Sequence, residues 1–521
     1  MRKFGFFIVF ILLVLTSCRK DFSFETNPGN LEFSKKTVYL DTVFTNIGSS
    51  TYRLKVYNRS DKDISIPKIQ LQKGLSSKYR MMVDGIAGNG KMFDNVELLA
   101  KDSLFIFIET TAAISDVNTT DFLYTDKIQF FNSSNAAQTV DLVTLVKDAI
   151  FIYPERNNLN QYENINLGLD GAGNPITYIG SNLSANDLVN GDELHWTSLK
   201  PYVIYGYALV PDTKTLVVDA GVRAYFHAES GLIIAKNGTL QINGTNPPAG
   251  MPTSLQNEVT FEGDRLEPAY EDVAGQWGAI VNYSQTNGNL INHLTLKNAT
   301  VGILNQPRLI TDNYAPKMTI NNSKILNCSN IGILNRAAVM DGKNLVLNYC
   351  GQSSLACTLG GSYTFSHCTF NNNWNSTTQL SVFLNNYLET QNVTYLNDLT
   401  QANFNNCIIY GSNQVEFLVD KKGTGLLNFN LKNSLLKFNN IDNPYATNPL
   451  YQFSTDGSRY SNCYLATNST INNPKFENPS KNKFWLSQQW NPALVPAPGF
   501  IFNDIIGKPR TGIIALGAYQ F

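Results

Sequence analysis

The stretch "FSHCTFNNN" (Phe365–Asn373) places His367 directly before Cys368 in a chain with 4 His and 7 Cys. Two readings compete for it, a catalytic or metal-binding pair and a packing element. The phrase "FSHC" (Phe365–Cys368) has relatives along the chain: an apolar residue, any residue, a polar or aromatic residue, then a small one. They are "LKNA" (Leu296–Ala299), "INNS" (Ile320–Ser323), "LNYC" (Leu347–Cys350), "FNNC" (Phe404–Cys407) and "LKNS" (Leu431–Ser434). The small residues of the six phrases succeed one another at steps of 24, 27, 18, 39 and 27 positions. A period in the twenties with looser insertions marks a solenoid. The step of 39 predicts a long loop or a hidden further coil, and "NNWNSTTQLSVFLNNYLETQ" (Asn372–Gln391) lies inside it. Read as one column, Ala299, Ser323, Cys350, Cys368, Cys407 and Ser434 select for small size, not for a thiolate. His367–Cys368 is then one rung of a ladder.

Such a repeat fits a parallel β-helix. Short strands pair with those of the circuits before and after, and inward apolar residues stack in columns. Asn suits the bends, because it tolerates left-handed backbone and bonds its own main chain. Composition agrees. Of 521 residues, 43% are hydrophobic but only 16% charged, against about 25% charged in typical chains. Abundant Tyr and Phe with recurrent Val, Ile and Thr favour strands. The net charge of −1 provides no basic field for nucleic acid. The length suits two domains, or one domain with an elongated repeat.

The start of the chain reads as an address. Met1-Arg2-Lys3 is basic, and "FGFFIVFILLVL" (Phe4–Leu15) is an apolar run of 12 residues. That is short of the ~20 needed to span a bilayer but fits a secretion signal. "LTSC" (Leu15–Cys18) resembles the bacterial lipobox, which implies lipidation of Cys18. "RKDFSFE" (Arg19–Glu25) resembles surface-export signals of Bacteroidota lipoproteins. The resemblance implies a signal peptide over 1–17, a tether over 18–23, an outer-membrane address and exposure at the cell surface. With Cys18 as anchor, six cysteines remain, and none forms a CxxC pair. Zinc is therefore a poor fit. Cys350 and Cys368, in consecutive phrases, are expected to lie one strand apart as free thiols, since stacked parallel side chains rarely meet disulfide geometry.

Residues 24–150 alternate apolar and polar positions in several short runs, as in "STYRLKVYNRSDKDISIPKIQL", and predict a β-sandwich. The order of segments resembles immunoglobulin-like domains that precede larger modules in Bacteroidota surface lipoproteins. Residues 151–205 form a turn-rich transition. Residues 206–521 carry the solenoid and a closing segment. "VVDAGVRAYFHAESGLIIAKNGTLQINGT" (Val217–Thr245) resembles the opening coils of right-handed parallel β-helix proteins of the pectate-lyase-like superfamily. "NDIIGKPRTGIIALGAYQF" (Asn503–Phe521) resembles their closing phrase, with Ala515 and Leu516 where the family often has Asp and Ile. The expected fold is all-β: an N-terminal β-sandwich followed by a right-handed parallel β-helix.

Enzymes of that superfamily cleave acidic polysaccharides, with acidic residues holding calcium and Arg or Lys as base, or with clustered Asp. Such chemistry needs charged groups converging on one outer face. The best local cluster is Arg336, Asp341 and Lys343 in "NRAAVMDGK", read first as a turn carrying solvated charge. "FEGDRLEPAYED" (Phe261–Asp272) offers hard oxygen ligands of the kind calcium takes, but is read first as a protruding polar loop. Otherwise no cofactor or metal is expected. His227 and Glu229, two apart, would share one face of a strand. Among the aromatic residues, Trp374 and Tyr387 in the long insertion are the candidate ligand-binding pair, since loops on a rigid scaffold carry binding.

The leading expectation is a non-catalytic, lipid-anchored surface protein whose β-helix serves as a binding or structural scaffold for a glycan or an outer-membrane protein partner. A polysaccharide lyase or glycoside hydrolase, and a purely architectural component of an outer-membrane assembly, are the alternatives.

Overall fold

The computed structural model describes residues 23–117, 121–246, 257–391, 393–486, 501 and 503–521. The expected signal peptide and Cys18 lie outside them. The chain is all-β and forms two compact units, Met1–Asp148 and Ala149–Phe521. No helix among the described residues is long and apolar enough to cross a membrane.

In the N-terminal unit one sheet joins Glu25–Thr26, Thr37–Phe44, Ile64–Leu71, Met92–Leu98, Leu123–Phe131 and Ala137–Lys147. A second joins Glu32–Phe33, Tyr52–Tyr57, Tyr79–Val83 and Ser103–Thr110. Alternation along the strands sends one set of side chains inward: Leu104, Ile106 and Ile108 are buried while Phe105 and Phe107 face out. The inward sets of both sheets share one apolar cluster. The arrangement is sandwich-like.

The C-terminal unit is built from long parallel ladders. The first is an 11-stranded sheet running from Ile150–Ile152 to Tyr464–Ala466. The second and third lie in an 18-stranded sheet and meet within the long strands Ile331–Lys343 and Ser353–Ser366. The chain visits the ladders in rotation: Leu294–Lys297 in the first, Val301–Asn305 in the second, Lys317–Asn321 in the third, then Lys324–Cys328 back in the first. This rotation is consistent with a β-helix. The expected transition segment already contributes strands, so the ladders start near residue 150; Ile150–Ile152 is too short to betray its period in sequence.

Inward side chains stack between ladders. Phe365 lies 5.3 Å from Phe404, ring to ring, and 5.3 Å edge-on to Phe370. Gly342 precedes Phe365 in the same column, and a Cβ there would come within 2.7 Å of the Phe365 ring.

The turn from third ladder to first is longer in the early circuits, as between Thr215–Val218 and Arg223–Phe226, and from His293 onward it is tight and left-handed. His293, Asn322, Asn344, His367, Asn406, Asn433 and Asn462 occupy it, with φ between 46° and 55°. Only Gly, Asn and a few others visit this region cheaply. The side chains also link rungs: Asn344 Nδ2 donates to Asn322 Oδ1 (2.8 Å), Asn406 Nδ2 meets His367 Nε2 (3.0 Å), and Asn462 Nδ2 donates to Asn433 Oδ1 (3.2 Å). Burial, with the charge of Arg510, pushes the His367 imidazole well below its usual pKa. It is a neutral rung.

The six sequence phrases divide between two corners. Ser323, Cys368, Cys407 and Ser434 come just after the corner described above, and Leu345 joins their column. Ala299 and Cys350 belong to the first-to-second corner, where Cys328 pairs in register with Cys350. Cys350 and Cys368 are therefore not stacked neighbours, contrary to expectation; Cys368 lies beside Cys407. All six described cysteines are free. Size is only part of the selection. Ser323 Oγ accepts from Leu294 N (3.1 Å), Cys368 Sγ from Leu345 N (3.5 Å) and Ser434 Oγ from Cys407 N (3.0 Å). The step of 39 holds one circuit plus the hairpin Tyr387–Glu389/Thr394–Leu396.

Replacing Asn406 tests the corner. Asn406→Ala removes a buried hydrogen bond and forces a Cβ-bearing residue without a polar tip into left-handed backbone, a combined cost of about 2–3 kcal/mol. Asn406→Gly loses the bond alone and is expected to retain about 1 kcal/mol more stability than the Ala variant. Urea unfolding midpoints of the two variants check the order; Ala at or above Gly would contradict it.

Candidate functional site

Each ladder has an outer face, and the chain treats the three differently. On the first ladder, Val346, Ile408 and Leu435 point outward and are buried under Phe484, Leu486, Ile505 and residues 515–519. Arg510 fastens this strap. It is 3% exposed, and its guanidinium donates to Asn344 Oδ1 (3.0 Å) and to the carbonyls of Ala515, Gly517 and Ala518. Burial pulls its pKa down to about 10, opposed by the charge of Asp504. On the second ladder, Leu209, Ile233 and Val281 lie under Ile165, Leu167 and Tyr178 of an antiparallel hairpin. Arg308 Nη1 holds that hairpin through Leu167 O (2.8 Å).

The third ladder presents polar side chains. Thr319, Asp341, Thr364, Asn403 and Asn430 form one row in register, each half-exposed. Asn292, Asn321 and Lys343 begin the next. At ~4.8 Å per rung the five-residue row spans about 19 Å. Amides and hydroxyls offer donors and acceptors together. Gln401 Nε2 to Thr364 Oγ1 (3.1 Å) and Asn321 Nδ2 to Asn292 Oδ1 (2.9 Å) link neighbouring rungs on this face. This row is the candidate site.

Asp341 and Lys343 lie on this face, 3.4 Å apart as an ion pair. Arg336 does not join them. "NRAAVMDGK" is not a turn but part of the strand Ile331–Lys343, bent at Ala337 (φ 46°), where the second ladder passes into the third. Arg336 sits before the bend and donates to Gln306 Oε1 (3.0 Å), its pKa lowered by burial.

Trp374 and Tyr387 are also separated. The strand Leu380–Asn385 of the second ladder runs between them. Trp374 is half-buried at the first-to-second corner, where its carbonyl accepts from Ser412 Oγ (3.5 Å). Tyr387 opens the hairpin at the second-to-third corner, bonded to the Asp420 carboxylate, with Lys422 Nζ 4.5 Å from its ring centre. Desolvation and Asp420 push its phenol up to about 12.

Three of the five carboxylates in the stretch suggested for calcium are held in ion pairs. Glu262 pairs with Lys297 (2.8 Å), Asp264 with His227 (2.7 Å) and Glu267 with Arg265 (3.0 Å), while Asp272 accepts from Asn327. Among the described residues no group of three His, Cys, Asp or Glu could hold a metal ion. His227 does not share a strand face with Glu229, which lies beyond the strand Arg223–Phe226 in a left-handed turn (φ 58°). Its partner Asp264 is 37 positions away, and the pairing has no signal in the sequence.

Glu416 belongs to no motif in the sequence. It is fully buried at the first-to-second corner, accepting from Ser381 Oγ (2.9 Å) and Asn413 N (2.7 Å). Desolvation raises its pKa to about 7. No solvent reaches it, so it braces the corner instead of reacting.

No protein-family model and no curated protein matches this sequence. Among solved structures, the chain resembles the PapD-like domain 7 of human CEP192 at 14% identity, over 25% of this chain and 96% of that one, with a TM-score of 0.15. It resembles a family 123 glycoside hydrolase from Clostridium perfringens at 7% identity over 23% of this chain, with a TM-score of 0.15. The E. coli chaperone DraB matches at 13% identity over 24% of this chain, with a TM-score of 0.16. The chain spans 30% and 58% of the lengths of those last two. TM-scores this low assign no function.

A raised folded-state pKa at Glu416 stabilises the protein fully below the unfolded value of 4.5, and that contribution is lost as pH rises through about 7. The loss is on the order of 3 kcal/mol. Glu416→Gln should remove it, so that the stability difference between variant and wild type shifts in the variant's favour from pH 4.5 to 8. Denaturation series at fixed pH values check this; a pH-independent difference would contradict it.

Proposed function

We propose that the protein is a non-catalytic, lipid-anchored surface scaffold that binds a glycan along the outer face of the third ladder. In this reading Ala149–Phe521 is a right-handed parallel β-helix of the pectate-lyase-like kind, and the N-terminal unit is an immunoglobulin-like spacer. Residues 1–17 are a signal peptide, and lipidated Cys18 holds the protein on the outer membrane of a member of the Bacteroidota.

One observation carries the binding assignment. The chain's own apolar segments cover Val346, Ile408 and Leu435 on the outer face of the first ladder and Leu209, Ile233 and Val281 on that of the second, while the third offers a row of five amide, hydroxyl and carboxylate side chains in register. A sugar chain presents hydroxyls at a similar repeat and needs paired donors and acceptors. What speaks against catalysis is the state of the charged groups: Asp341 is tied to Lys343 and Arg336 to Gln306. A general acid or base needs a free group within reach of substrate.

The test is a panel of acidic and neutral polysaccharides presented to the purified protein lacking residues 1–17, scoring retention and cleavage. Retention without products is expected. The double variant Thr364→Ala/Asn403→Ala should weaken it about tenfold, the equivalent of one to two net hydrogen bonds. Release of unsaturated oligosaccharides would overturn the reading. For the anchor, Cys18→Ala should move the full-length protein from the membrane fraction to the soluble one.

A further inference from the structure

The N-terminal unit carries an exposed sheet face that its sandwich-like core does not use. On the sheet containing Tyr52–Tyr57, Tyr79–Val83 and Ser103–Thr110, the outward residues form cross-strand rows. Arg53, Phe107 and Met82 make one row, and Lys55 pairs with Phe105 in the next. Phe105 and Phe107 are 37% and 38% exposed, with ring planes 21° from parallel and centroids 6.3 Å apart. Met82 is 39% exposed beside them. Two near-parallel rings on consecutive outward positions of one strand, with Met82 beside them, make an apolar platform. Beside it opens a cavity of about 480 Å³, lined by Phe107, Met82, Arg80 and residues 87–90.

Charge gives the platform a sign. Within the strands the outward carboxylates are paired, Glu32 with Arg59 (2.9 Å) and Glu109 with Arg80 (2.8 Å), and the exposed Asp84, whose N–H donates to Phe105 O, is one negative charge against the two of Arg53 and Lys55. Arg53 and Lys55 remain without an ion pair among the described residues. Lys55 Nζ lies 5.2 Å from the centres of both the Tyr57 and the Phe105 rings, so its charge sits at the platform's edge. We propose that this face is a binding site for anionic polysaccharide. The apolar C–H face of a sugar ring would lie on Phe105 and Phe107, and Arg53 and Lys55 would meet its carboxylate or sulfate groups. The site is separate from the third ladder and does not rest on the assignment made there.

Affinity electrophoresis of the protein lacking residues 1–17, in gels containing alginate, chondroitin sulfate or uncharged pullulan, tests it. Retardation by one or both anionic polymers, stronger than by pullulan and weakened between about 50 and 500 mM NaCl, is expected. Phe105→Ala/Phe107→Ala should cut the affinity about tenfold, and Arg53→Gln/Lys55→Gln severalfold. Tyr39→Ala, exposed on the opposite sheet of the N-terminal unit, should leave the retardation unchanged. Circular dichroism spectra and melting check that the variants fold; a cooperative transition well above the assay temperature is expected for each, with a lowered midpoint for Phe105→Ala/Phe107→Ala, whose rings are 37% and 38% exposed. Absence of retardation by both anionic polymers, or equal retardation of the Phe105/Phe107 variant, overturns the proposal. So does a dimer in sedimentation that Phe107→Glu disperses, which would give the face to a second copy of the chain.

Discussion

From His293 onward the chain turns at each circuit from the third ladder into the first within one or two residues, and it does so in left-handed backbone. Much of the architecture descends from that constraint. Of the seven residues that meet it, five are Asn and the other two are His. Left-handed backbone costs an ordinary residue about 1–2 kcal/mol; for Asn the cost is smaller, and its amide reaches the next rung. Because the turn length hardly varies over these circuits, the strands on both sides keep register, and inward apolar side chains fall into columns. The Ser and Cys residues just past the turn then accept the backbone N–H of the preceding rung. Polar satisfaction and close packing are achieved by the same two positions.

Where turns are free to vary, longer loops appear. The first-to-second corner carries the Trp374 turn and the acidic loop around Tyr270. The second-to-third corner carries the Tyr387 hairpin. Most charged groups at these corners are locked in local pairs, so the loops serve as structural braces more than as reactive surfaces. Among the described residues, the polar face of the third ladder and the aromatic face of the N-terminal unit leave recognisable chemistry free.

The parallel architecture was legible because inward columns and Asn corners recur at the residue level. Phe365, Phe404 and Leu431 do share a column, as their phrases imply. The division of the phrases into two corners was not legible. Both corners place a small residue after a left-handed one, and loop lengths vary too much for spacing to tell Cys350 from Cys368. The site was half visible. Asp341 and Lys343 are two apart on a strand, so their shared face comes from pleating. Arg336 looked adjacent only because the bend at Ala337 has no sequence marker. Glu416 and Asp264 act through partners 35 and 37 positions away, Ser381 and His227, and such pairings exist only once the ladders are stacked.

The Arg510 strap has a consequence for how the molecule matures. Its contacts reach back 166 residues to Asn344 and 149 to Thr369. Until residues 503–521 have docked, Val346, Ile408 and Leu435 present a greasy strip on a face of parallel strands, the kind of surface that invites sticking to other chains. Assembly is therefore gated by a segment synthesised long after the strands it covers. A shortened product would not simply lose a tail; it would be a chain with an unsealed seam, and quality control in the compartment where it folds would meet it as a client.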